Sequence, residues 1–206
     1  MDDLNLLKNR KDFDISAFIN NNKAFFFPLL FYVCGLVIGS VFYNVIDQTE
    51  FKDIIVKIAQ GSDGDFLTLF INKLSVYFAI YTVCVLLGLC LIGFPFVNMI
   101  PLICGVEIAL KLSYYYVTFG VKGIGFSLLI IAPGAVGFIT TIIFTTMHSN
   151  TLSRIIYNLT TNKADIIEEI NLKSYLLRFF LYSLIVIVMA ALGTLFTYIL
   201  SSIIVL

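Results

Sequence analysis

The stretch 24–46, AFFFPLLFYVCGLVIGSVFYNVI, decides the fold. It contains no charged residue, and about 20 such residues suffice to cross a bilayer as a helix. A secretory signal has a shorter apolar core and a small-residue cleavage site. This run ends Val41-Phe42-Tyr43, so it reads as an uncleaved span.

The whole chain agrees with its first span. Of its 206 residues, 60% are hydrophobic and only 13% charged, with a mean hydropathy of +0.99. A soluble domain is closer to half apolar and a quarter charged. A chain this short cannot bury so much apolar surface in one core, and the excess faces lipid. Thirteen Lys+Arg balance thirteen Asp+Glu, which is not the basic footprint of a nucleic-acid binder. Cys34, Cys84, Cys90 and Cys104 all lie inside apolar runs without CxxC spacing. They read as small packing residues rather than metal ligands.

Four further apolar runs follow, at about 74–92, 96–116, 126–147 and 175–206. The expectation is an all-α, polytopic membrane bundle of about five transmembrane helices. A cytoplasmic segment, 1–23, precedes a single membrane domain, 24–206. Two polar connections interrupt it, at 47–73 and 148–175. In the first, Phe51, Ile54, Ile55 and Ile58 fall on one helical face. Gly61-Ser62-Asp63-Gly64 breaks the pattern, and Phe66, Leu69 and Phe70 restart it. Two short amphipathic helices on the membrane surface are expected there.

Lys and Arg in the connections set the orientation. Lys8, Arg10, Lys11, Lys23, Arg154, Lys163, Lys173 and Arg178 fall on one side, and Lys52, Lys57, Lys73 and Lys122 on the other. That places the N-terminus and the 148–175 loop in the cytoplasm, and the 47–73 loop and the C-terminus outside. A re-entrant third run would move 148–175 outside and erase the bias. Five spans are the better fit.

Glu107 and Lys111 are the ionisable pair deep in an apolar run. They stand four apart, with Glu first, the better order for pairing. Left alone at mid-membrane, each would cost about 2.5–3.5 kcal/mol on the insertion scale. The pair is an ion or proton path, or a satisfied pair facing the bundle interior, or a docking site for another membrane protein. No other span carries a central charge on this reading, which favours the structural or docking role. Gly35 and Gly39 form a GxxxG, and Gly105 and Ala109 repeat the small-xxx-small spacing that lets helices approach closely. They serve partner association or packing within the bundle. Gly120, Gly123 and Gly125 match neither the Rossmann nor the P-loop spacing and read as an interhelical turn. Pro133-Gly134 is expected to kink the fourth span. His148 stands without a cluster of other ligands. No triad, HExxH or intramembrane aspartate pair is present, so no enzyme, metal or cofactor is expected.

The stretches FYVCGLVIGSVF (31–42), LLGLCLIGFPFVNMIPLICGVEIAL (86–110) and GVKGIGFSLLIIAP (120–133) resemble the stage II sporulation protein M family of endospore-forming bacteria. The resemblance covers about residues 24–205. Ala109 stands where that family often has a second glycine. The resemblance implies five spans, a short cytoplasmic head and no catalysis. It further implies a cell-membrane anchor at the sporulation septum, gathering the wall-degrading stage II sporulation proteins D and P for engulfment. Phe51, Ile54, Ile58, Phe66 and Phe70 are then the candidate partner contacts of the outer loop, or its contacts with lipid. The alternative is a small permease or transporter subunit whose path uses Glu107 and Lys111.

Overall fold

The computed structural model describes residues 22–45, 65–121, 123, 125, 127, 132–161 and 172–203. Six helices are built from them: α1 (Lys23–Val45), α2 (Phe66–Leu89), the short α3 (Gly93–Val97), α4 (Met99–Phe119), α5 (Ala132–Thr160) and α6 (Leu172–Ile203). No strand occurs among the described residues. In hydrocarbon every backbone N–H and C=O must be satisfied within the segment, and a helix does this locally. The chain is therefore an all-α bundle, and its apolar helices make it a multi-pass membrane protein.

Four segments are long and apolar enough to cross: Lys23–Val45, Phe66–Leu89, Gly93–Phe119 and Ser174–Ile199. The fourth apolar run of the sequence is the exception. Most of its opening residues, 126–131, lie outside the described set, and what is described, α5, is rich in Thr and Ser. Most of the polar side chains between Thr141 and Ser153 point inward. Thr141, Thr145, Thr146, Ser149, Asn150 and Ser153 are all buried. α5 is the central post and touches every other helix. Around its own Ile142 gather Cys84, Val97 and Val186, all fully buried, while residues such as Leu30, Val37, Leu86 and Leu176 project outward.

The side-chain meetings give each helix its direction. Gly35 abuts Leu102, Gly39 abuts Val106 and Ala109, and Tyr43 packs with Tyr114, so α1 and α4 run parallel. Tyr77 stacks on Phe138, Cys84 meets Thr146 and Gly88 meets Ser149, so α2 and α5 run parallel. Tyr81 reaches Phe179 while Phe66 meets Tyr198, so α6 opposes α2. Phe25 packs on Phe144 and Lys23 shares a cleft with Arg154, so α5 opposes α1. The five long helices alternate strictly, and the third run is a full-length helix parallel to the first.

Breaks between helices have local causes. Gly93 follows α2 so closely that a Cβ would collide with the Leu87 carbonyl. Pro95 and Pro101 each stand third in their helices, where the missing N–H had no intrahelical partner to lose. Gly120 ends α4 at φ 61°, a backbone region that glycine enters without a Cβ clash, and its N–H closes on Tyr116 O at 2.8 Å.

Two boundaries differ from the sequence reading. The 47–73 connection ends at Asp65, because Phe66 to Leu89 is one unbroken helix rather than a surface segment followed by a span. No Gly or Pro between 66 and 74 interrupts it, and Lys73 finds an inward acceptor. The 148–175 connection is likewise shorter. α5 continues to Thr160 and α6 starts at Leu172, since Ser149, Asn150 and Ser153 are buried against α2, α3 and α4 instead of being solvated.

Candidate functional site

The glycines of α1 and α4 meet each other. A Cβ on Gly35 would strike the Leu102 carbonyl, and one on Gly105 would strike the Tyr32 carbonyl. On Gly39 it would stand 2.7 Å from Val106 O and 2.8 Å from the Ala109 Cβ. Gly35, Gly39, Gly105 and Ala109 thus form one reciprocal seam inside the chain. Bare backbone at these positions brings the two helices into direct van der Waals contact.

Glu107 and Lys111 lie on α4 beside that seam, Glu107 between Gly105 and Ala109 in the chain. Lys111 Nζ donates to Glu107 Oε1 at 2.6 Å, with the two side chains 24% and 34% exposed. A charge-assisted bond this short sets the two opposite charges against each other in place. A third ionisable group stands nearby that the sequence reading assigned to a loop. Lys73 is the eighth residue of α2, and its Nζ donates to Thr197 Oγ1 at 3.3 Å. A Cβ added to Gly193 would be 3.1 Å from that amine. The signal that could have placed Lys73 in the bundle is the absence of any helix breaker between it and the apolar residues before it.

Gly134 belongs to the same region. Its own Cβ would stand 2.7 Å from Gly193 Cα, so α5 and α6 cross at two glycines. Pro133 is the second residue of α5. Four residues preceding Ala132 lie outside the described set, and with them the kink expected there.

At the opposite end a polar knot joins the α3–α4 junction to α5. Asn98 Nδ2 donates to Asn150 Oδ1 at 3.3 Å, and Asn150 Nδ2 returns to Asn98 Oδ1 at 2.9 Å. Asn98 Nδ2 also donates to Phe94 O at 2.8 Å, and Ser153 Oγ donates to Cys90 O at 2.9 Å. Arg154 lies over the Phe94 ring, 3.9 Å from its centre, a cation–π contact. The sequence reading passed over this knot. Its one trace there is an asparagine inside the apolar stretch GFPFVNMIP.

Of the candidate partner-contact residues, Phe51, Ile54 and Ile58 lie outside the described residues. Phe66 and Phe70 stand in the first two turns of α2, and the Phe66 ring meets Tyr198 edge-on at 5.7 Å. His148 packs its ring between Tyr175 and Tyr182. Among the described residues no group of three His, Cys, Asp or Glu could hold a metal ion, and the four cysteines are free thiols.

No protein-family model, curated protein or solved structure matches this chain.

Proposed function

We propose that this protein is a non-enzymatic membrane anchor that assembles septal peptidoglycan-degrading proteins during endospore engulfment. The observation that carries the anchoring role is how the intramembrane charges are satisfied. Lys111 is held by Glu107 at 2.6 Å and Lys73 by Thr197 at 3.3 Å. A transport path needs polar groups that exchange partners with a passing solute, whereas these bind one another. The choice of partners rests on the three stretches that resemble the stage II sporulation protein M family. Such partners would be met outside, at the end of the bundle bearing Val45, Asp65 and Gly120. Leu67, Val117 and Val121 are exposed apolar side chains there. Burying each would contribute roughly 1.5–3 kcal/mol before ordering costs.

The test is removal of the gene in its native host. Septal wall should persist and engulfment should stall, and the tagged protein should recover wall hydrolases from detergent extracts. Normal engulfment in the deletion strain would overturn the reading. The rival, a permease subunit, draws on Lys73 as a second lysine turned into the bundle, bonded to Thr197. Solute flux in proteoliposomes that vanishes in Glu107→Gln would establish it instead.

A further inference from the structure

A cleft of about 560 Å³ opens between the start of α1, α3 and the last turns of α5. Phe27, Leu30 and Phe94 wall it, Asn150 lies within it, and Lys23 and Arg154 are its two charged residues. No acidic side chain lines it among the described residues. The volume suits a small polar headgroup with the first part of its chains.

Charges and apolar walls are segregated along the helix. Lys23 opens α1. Leu30, seven residues on, lies roughly 10 Å deeper at 1.5 Å per residue. Phe27 and Leu30 remain 45% and 60% exposed, so they offer a greasy track leading inward from the cationic rim. The Arg154 guanidinium carbon lies 3.9 Å from the centre of the Phe94 ring. The ring holds the guanidinium at the rim, and a guanidinium's planar fork of N–H donors suits the oxygens of a phosphate.

We propose that this cleft holds one anionic phospholipid, with its phosphate between Lys23 and Arg154 and an acyl chain along Phe27 and Leu30. A free phosphate would gain nothing from the exposed apolar track. A zwitterionic headgroup would bring its own cation towards two others. The Asn98–Asn150 amide pair beneath the rim holds α5 against α3 and α4 and so keeps the walls apart at a set distance.

The experiment is native mass spectrometry of the full chain released from detergent, after exchange with phosphatidylglycerol or phosphatidylcholine. One phosphatidylglycerol should stay bound at activation energies that strip phosphatidylcholine. R154Q and K23Q should each weaken that retention about tenfold, equivalent to about 1.4 kcal/mol, and R154K should fall between. R178Q removes an exposed arginine of α6 outside the cleft and should change nothing. Unchanged helical circular dichroism in each variant would show that folding is intact. Equal retention of the two lipids, or equal loss in R154Q and R178Q, overturns the proposal. Displacement of the lipid by millimolar glycerol phosphate alone would assign the cleft to a soluble phosphate and overturn it as well.

Discussion

Asn98 and Asn150 face each other amide to amide, with both N–H···O bonds closed, at 3.3 and 2.9 Å. Each residue is at most 8% exposed. One comes from the turn between α3 and α4 and the other from the far part of α5, so the pair ties two halves of the chain at one membrane boundary.

Replacing Asn150 leaves the Asn98 Oδ1 without its donor. Asn150→Leu should destabilise the protein by about 1–3 kcal/mol, the range for a buried polar group left unsatisfied. The double variant Asn98→Leu, Asn150→Leu should lose less than the sum of the singles. Melting curves in detergent decide it, and strict additivity would show that the two amides act independently.

The α1–α4 seam makes a sharper demand. Gly35→Ala places a methyl against the Leu102 carbonyl, and overpacking of this kind typically costs about 1–3 kcal/mol. Gly125→Ala meets open space and serves as the control. A lowered melting temperature for the first, and none for the second, is the expected pattern. Equal behaviour would place the seam outside the stability-determining contacts.

For the ion pair, Glu107→Ala leaves Lys111 in the bundle without its carboxylate. Abundance in the membrane should fall further than in the double variant Glu107→Ala, Lys111→Ala, which removes both charges. Quantitative blots of membrane fractions test this. Equal or additive losses would argue that the two side chains do not depend on each other.

If all five long helices cross, their alternation puts Lys23 and Ile203 on opposite faces of the bilayer. With Lys and Arg concentrated at the Lys23 end, that end is expected in the cytoplasm. A reporter active only in the cytoplasm should work when fused before Met1 and stay silent when fused after Leu206. Activity at both termini would require an even number of crossings.

Much of this protein is written in local sequence. Runs such as 24–46 need no partner to become helices in lipid, because the backbone satisfies itself within the segment. Glu107 and Lys111 are adjacent by spacing alone, and four residues on one helix suffice to bring them together. Gly120 marks the end of α4 through its own φ. Those features depend on contacts within a turn or two of chain.

What remained for the tertiary structure was direction. A span that is apolar on every side does not reveal which face turns inward, since lipid and neighbouring helix are equally greasy. So the sequence could name Gly35, Gly39, Gly105 and Ala109 as two separate motifs, but only the parallel packing of α1 on α4 joins them into one seam. Polarity misled for the same reason. Ser149, Asn150 and Ser153 read as a solvated loop and Lys73 as an outer charge. Each is drawn into the bundle by an acceptor or a glycine surface more than fifty residues away along the chain. A hydrogen-bonding group follows its partner, and the partner's position is a property of the fold.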